Sequence, residues 1–378
     1  MLITTEEGRY DRQELISWWD QSRLRESRIL VVGAGALGNE VIKNLLLIGV
    51  GHIDLIDLDI VERSNLARCV FFREGDNGAF KSLVVAQAAA EVNPECIVTA
   101  HVGDVTAIGL GFINQFDLVI GALDNREARL WINQACRKLG LTWIDGAIEG
   151  IRGVVKVFPP EGACYECTLG ERDREILSKR RSCSLLSTEE MLTGKVPTTA
   201  TSSSLIAGLQ VQEAVRLLHQ QRSPIENAGW VFTGETFDSY IVTYTEDEFC
   251  MAHDRFSKIE SGTLKVTDSI SIALDRAKAL SSTPPSAIDF EREIIRGATC
   301  NACEWSVVIN RRINSVSPAE ITCPHCDEPG IIDMALSIDV DDELCFLTFE
   351  ELGFPELEIL TIRCDQQRVH FLIGGEQK

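Results

Sequence analysis

The sequence predicts a doubly wound α/β fold with a mostly parallel sheet over residues 1 to about 255, then a small cysteine-rich ribbon and a short acidic α+β tail. Three observations predict it. An apolar run, Ile29–Val32, leads through Gly33-Ala34-Gly35-Ala36-Leu37-Gly38 into a helical pattern over Asn39–Ile48. Further strands over Ile53–Ile56, Asp117–Ile120 and Val154–Phe158, and a helix over Leu205–Leu218, continue the alternation. Two Cys-x-x-Cys turns, Cys300–Cys303 and Cys323–Cys326, close the series.

Taken in order, the elements spell out a pocket. The glycines after the first strand allow a tight turn and let backbone N–H groups approach an anion, which the N-terminus of the next helix also faces. The second strand delivers Asp57 nineteen residues after Gly38, where an acid that holds ribose hydroxyls belongs. A glycine fingerprint alone would suggest a nicotinamide-dependent dehydrogenase. The residues that follow, Asp59, Asn65, Arg68, Lys81 and Asp124, point elsewhere. Hydride transfer needs an apolar slot and a proton donor, and has little use for cations and a further acid at the phosphates. Nucleotidyl transfer needs both: cations on the triphosphate of ATP, and a carboxylate holding Mg2+ to spread the charge on the departing pyrophosphate. Singly, Arg68 or Lys81 reads as a surface charge, and Asp57 and Asp59 as the end of a strand. In this order, Gly33, Gly35, Gly38, Asp57, Asp59 and Asn65 read as one nucleotide site.

With the opening Arg9-Tyr10-Asp11-Arg12-Gln13, these motifs resemble the adenylyltransferase superfamily of ubiquitin-activating enzymes and their ThiF and MoeB type bacterial relatives, over roughly residues 9 to 253. The resemblance implies a Rossmann-like sheet. It gives Asp57 the ribose, Asn65, Arg68 and Lys81 the phosphates, and Asp124 the magnesium ion. Arg12 takes the role of an arginine that reaches the ATP of a neighbouring subunit, which implies a homodimer. Cys69 departs from the family, standing where many relatives carry glutamine after the arginine.

Thirteen cysteines without a secretion signal read as metal ligands and thiols rather than a disulfide framework. Cys164-Tyr165-Glu166-Cys167 stands where ThiF and MoeB relatives hold half of a structural zinc site, and the place of the other half reads Cys250-Met251-Ala252-His253. Three thiolates and an imidazole suit tetrahedral zinc and leave no open position for catalysis. Cys300, Cys303, Cys323 and Cys326, with nineteen residues between the knuckles, have zinc-ribbon spacing, His325 being a bystander. The ribbon is expected to stand as a domain of its own over 299–378. Residues 256–298 are expected to be a linker holding one helix-like stretch, Ile270–Leu280, closed by Ser281-Ser282-Thr283-Pro284-Pro285.

Composition sets outer limits. A net charge of −21 argues against nucleic-acid partners, because affinity for a phosphate backbone rests on Lys and Arg. No run of eighteen apolar residues and no signal-like start appears, so no membrane contact and a cytoplasmic location are expected. Residues 331–362 hold nine Asp or Glu and no Lys or Arg, which reads as a solvated face or as a docking surface for a basic partner.

Cys183 follows Lys179-Arg180-Arg181 in a polar crossover loop at about 178–200, ahead of Pro197-Thr198-Thr199. Neighbouring cations favour the thiolate, the nucleophilic form. By resemblance, Cys183 is the thiol that takes the acyl group of a ubiquitin-like protein as a thioester and passes it to a separate conjugating-enzyme-like protein, in the setting of a bacterial ubiquitination-like operon. Two alternatives stay open beside the dehydrogenase: a sulfur-carrier adenylyltransferase with no thioester step, and a non-catalytic scaffold.

Overall fold

A computed structural model describes residues 7–170, 197–365 and 367–375. They form two units, one of Met1–Val105 with Phe116–Arg255, the other of Thr106–Gln115 with Phe256–Lys378.

The first unit holds, in chain order, α1 (Asp11–Glu14), α2 (Gln21–Glu26), β1 (Arg28–Val32), α3 (Ala36–Ile48), β2 (His52–Asp57), α4 (Lys81–Val92) and β3 (Ile97–Val102). After α5 (Leu110–Ile113), which belongs to the second unit, come β4 (Leu118–Gly121), α6 (Arg126–Leu139), β5 (Trp143–Glu149), β6 (Arg152–Phe158), α7 (Ala200–Leu218), β7 (Ala228–Thr233) and β8 (Asp238–Thr243). Its eight-stranded sheet has the order β3-β2-β1-β4-β5-β6-β7-β8. Pairing is parallel from β3 to β5 and antiparallel from β5 to β8.

Ile29 to Val32 are fully buried, as a central parallel strand covered on both faces must be. Helix α3 buries Leu37, Val41, Ile42, Leu45 and Leu46, spacings that put one apolar stripe on the sheet. Val32 pairs with Ile56 on one side and Gly121 on the other, so β1, β2 and β4 end side by side. The chain moves outward from β1 to β2 and β3, then returns to the far side of β1 with β4. That reversal opens a crevice beyond the strand ends, the usual ligand position in such sheets.

The second unit corrects the expected linker. Residues 256–298 hold β9 (Ile259–Leu264), α8 (Ile270–Leu280) and most of β10 (Ala287–Thr299). The helix buries Ile270, Ala273, Leu274 and Ala277 in a core with Ile288, Phe349, Ile362 and Phe371. The Ser281–Pro285 stretch is a pinned turn, with Thr283 Oγ1 donating to the Cys364 carbonyl at 2.7 Å and the Ser286 N–H to the Arg363 carbonyl at 2.8 Å. With β11 (Ser306–Arg312), β12 (Ile331–Asp339), β13 (Glu358–Cys364) and β14 (Gln367–Ile373), the strands make a sheet of order β11-β10-β13-β14-β9, β12 pairing with β10. The cysteine knuckles therefore do not form a separate domain from residue 299. One follows β10 and the other precedes β12, and β10 also pairs with β13 of the larger core.

Residues 106–115 are held inside this unit. The Gly111 N–H donates to the Leu357 carbonyl at 2.7 Å, the Leu110 N–H to Glu358 Oε1 at 3.2 Å, and Arg312 Nη1 to the Ala107 carbonyl at 3.1 Å. Leu110 and Ile113 are buried there. In the acidic stretch, Glu358 is buried against Arg312 and Asp342 pairs with Arg296, while Asp333, Asp339, Asp341, Glu343, Glu350, Glu351 and Glu356 lie wholly or partly exposed. No described helix is long and apolar enough to cross a membrane.

Candidate active site and metal centres

The glycine loop is shaped first by its own packing. Gly33 has φ +103°, a conformation L side chains avoid, and a Cβ there would strike the Ala122 carbonyl. A Cβ on Gly38 would strike the Gly33 carbonyl, whereas one on Gly35 would meet nothing within 4 Å. Gly35 therefore borders open space, and it is the N-cap of α3, which no side chain caps. Backbone N–H groups at such a helix start attract anions.

Around this loop the structure gathers several of the residues singled out from sequence. Asp57, at the end of β2, accepts the Ala34 N–H at 2.6 Å and the Asp59 N–H at 2.7 Å, so it braces the loop from below. Burial pushes its carboxyl above the ordinary range, opposed by the Ala34 hydrogen bond and the Lys81 charge. Lys81, first residue of α4, lies 2.7 Å from Asp59 Oδ2 and donates its backbone N–H to the Asp59 carbonyl at 2.9 Å. Burial alone would lower the lysine, but the Asp59 hydrogen bond and the Asp57 charge hold it above its usual value, and therefore cationic.

Asn65 is buried, its Oδ1 accepting the Glu62 N–H at 2.9 Å in a reciprocal cap of a short 3-10 turn. Arg68 is half-buried and donates Nη1 to the Ser64 carbonyl at 2.9 Å. The neighbouring Cys69 is buried, and that burial pushes its thiol up to about 11. A neutral thiol thus lies next to the arginine, and the Ser64 carbonyl supplies its polar support.

Asp124 is exposed in the loop after β4, next to Asn125, whose side chain caps α6 by accepting the Ala128 N–H at 2.8 Å. Behind this loop lies a residue that motif reading missed. Arg129 Nη2 donates to the Leu123 carbonyl at 2.5 Å and Nε to Asp145 Oδ1 at 2.8 Å. Gln210 Nε2 holds the adjoining Gly121 carbonyl at 2.8 Å. An acid inside the otherwise apolar strand at Trp143–Gly146 is the signal that could have disclosed the pair, since a buried carboxylate needs a partner.

Arg12 is exposed on α1, 3.4 Å from Glu7, and among the described residues it makes no hydrogen bond to the glycine loop, Asp57, Arg68 or Lys81. Cys183 and most of the crossover loop at 178–200 lie outside the described residues.

Both cysteine clusters do assemble. Cys164, Cys167, Cys250 and His253 bring their donor atoms within 4.8 Å of one another, and so do Cys300, Cys303, Cys323 and Cys326. In the first, Cys164 Sγ lies 3.7 Å from the sulfurs of Cys167 and Cys250, and Cys167 Sγ lies 3.3 Å from His253 Nε2. Burial pushes the Cys164 and Cys250 thiols up, and burial with the Arg137 charge pushes the His253 imidazole down to its neutral, ligating form. In the second, the Ala302 backbone N–H helps draw the Cys300 thiol down to about 7. Three sulfurs with one nitrogen, and four sulfurs, are donor sets that fit zinc, which would close each cluster as a structural site and supply no chemistry. His325 is exposed and outside the cluster.

The ThiF family model matches residues 10–250 of this chain. The chain is 39% identical over 148 residues to SUMO-activating enzyme subunit 2 of Dictyostelium discoideum, covering 38% of this chain and 22% of that protein. It is 38% identical over 154 residues to the NEDD8-activating enzyme E1 catalytic subunit of Saccharomyces cerevisiae, covering 38% of this chain and 52% of that one. It thus spans between a fifth and about half of the length of these relatives. Among solved structures, E. coli MccB with ATP superposes at TM-score 0.54 and 21% identity, over 66% of this chain and 75% of that one, a likeness of fold.

Proposed function

We propose, from the premise that the chain belongs to the ThiF family, that it uses ATP to activate the C-terminal carboxylate of a ubiquitin-like protein. The observation that carries this reading is the cluster of Asp57, Asp59 and Lys81 around the open Gly35 end of α3, with Asp124 in the loop that follows the neighbouring strand β4. Asp57 would meet the ribose. Asn65, Arg68 and Lys81 would face the phosphates, and Asp59 would release the Lys81 ammonium to a phosphate oxygen. Asp124 would hold magnesium, whose charge offsets that of the departing pyrophosphate. The carboxylate of the ubiquitin-like protein would attack the α-phosphorus: one O–P bond forms, giving the acyl adenylate, and the bond from the α-phosphorus to the oxygen shared with the β-phosphate breaks, its electron pair leaving with pyrophosphate. The N–H groups of α3 and the cations need only hold the phosphates in line, which is where positioning lowers the barrier. Names of relatives that activate SUMO and NEDD8 support this substrate class.

The dehydrogenase reading gives no role to Lys81 or Asp124. Direct titration separates the two: ATP with magnesium should bind and NAD should not, and tight NAD binding without ATP binding would overturn adenylation.

In the finer reading, Cys183 then takes the acyl group, its thiolate displacing AMP, and passes it to a separate conjugating-enzyme-like protein. Cys183→Ala should keep ATP–pyrophosphate exchange and lose a reductant-sensitive adduct with the ubiquitin-like protein. An adduct that persists in Cys183→Ala would move the thioester to another thiol. No adduct in wild type would leave a sulfur-carrier adenylyltransferase that stops at the acyl adenylate.

A further inference from the structure

We propose that Glu246 is a positioning residue for the first metal cluster: it braces the His253 imidazole so that Nε2, and not Nδ1, is offered to a zinc ion shared with Cys164, Cys167 and Cys250. A thiolate can meet a metal over a wide range of rotation about its Cβ–Sγ bond. A planar imidazole has two nitrogens and must be aimed, and the partner of one nitrogen decides which way the other points.

Here the two ring nitrogens face opposite ways. Nε2 lies 3.3 Å from Cys167 Sγ, inside the cluster, and Nδ1 lies 3.3 Å from Glu246 Oε1, outside it. The brace is itself anchored. Glu246 Oε1 lies 3.8 Å from Arg137 Nη2, and Arg137 is buried on α6 with Nη1 donating to the Gly162 carbonyl at 3.1 Å. The next residue, Asp247, donates its backbone N–H to Cys167 Sγ at 3.5 Å, so two successive residues support two of the four donors. Three thiolates with Zn2+ carry a net charge of −1, to which the Glu246 carboxylate adds, and the Arg137 guanidinium offsets the excess. The all-cysteine cluster has no ring to aim, so the two centres of this chain form an internal comparison.

The test uses the full chain loaded with zinc and a competing chromogenic chelator, on wild type, Glu246→Ala and Glu246→Gln. Glu246→Ala is expected to weaken one of two zinc ions by about ten- to hundredfold and to leave the other unchanged. Glu246→Gln should retain most of the affinity, since an amide oxygen in the place of Oε1 can accept a hydrogen bond from the Nδ1 proton. Cobalt reconstitution gives a second readout, in which the visible bands of the histidine-containing centre should change in Glu246→Ala while those of the all-cysteine centre do not. Equal zinc affinity in wild type and Glu246→Ala would overturn the proposal. So would parallel weakening of both ions, the mark of general destabilisation, or a Gln variant as weak as the Ala variant.

Discussion

Two ion pairs, one in each unit, differ in how far they are closed to water. Lys81 and Asp59 lie 2.7 Å apart with side chains 11% and 53% exposed; Arg312 and Glu358 also lie 2.7 Å apart, but are 3% and 1% exposed. The first pair can open cheaply, because Asp59 has water to return to and screening keeps such a pair weak. The second cannot, since separating it strands a charge in an apolar core. The open pair sits at the glycine loop, where a phosphate could replace the carboxylate. The closed pair fastens residues 106–115 to the sheet of the second unit through Ala107 and Leu110. Equal distances thus go with different exposure, and burial tells the two pairs apart.

The largest effect that could break this comparison is removal of the closed pair altogether. A chain ended at residue 255 loses Arg312, Glu358 and the strands that bury Leu110 and Ile113, each 1% exposed. It is expected to aggregate or lose cooperative unfolding, read by gel filtration and circular dichroism. A monodisperse, cooperatively folded 1–255 fragment would show that residues 106–115 do not need the second unit.

Single substitutions sharpen the contrast. Glu358→Ala should cost about 3–5 kcal/mol in urea unfolding, because Arg312 is left buried and unpaired, and a paired Arg312→Met, Glu358→Leu replacement should recover most of it. Asp59→Ala should cost no more than about 1 kcal/mol. Equal costs at the two sites would mean that the pairs are of one kind.

The smallest effect concerns the exposed Arg12, which among the described residues makes no bond to the pocket within its own chain. If it serves a neighbour's site, an Arg12→Ala chain mixed with a Lys81→Ala chain should recover about a quarter of wild-type exchange activity, since half of randomly mixed two-fold dimers hold one intact site each. No recovery in verified mixed dimers would confine Arg12 to its own subunit or remove it from the site.

What could be read in the sequence follows from the range of the interactions. The glycine loop and the bounds of α8 were legible because turn chemistry and helical spacing act within a dozen residues. The four-cysteine knuckles were legible for the same reason. The pinning of Ser281–Pro285 by Cys364 and Arg363 was not, because a turn that looks like a linker becomes structure only through a strand about eighty residues on. The capture of residues 106–115 was hidden likewise, since Glu358 read as one acid among nine in a solvated stretch. Arg129 escaped because its role is to hold a carbonyl of the Asp124 loop, which no residue spacing announces. The candidate pocket residues can be named individually from the sequence, but the pairing of Lys81 with Asp59 needs coordinates.

The central claim is that the open pair and Asp124 serve ATP. Exchange of labelled pyrophosphate into ATP tests it most directly, measured with a ubiquitin-like protein ending in Gly-Gly, on wild type, Lys81→Ala and Asp124→Ala of matched thermal stability. Wild type should exchange only when that protein is present, and each variant should fall by about a hundredfold or more, the scale of losing one electrostatic contributor. Full exchange in both variants, or none in wild type with any such protein, would contradict the account.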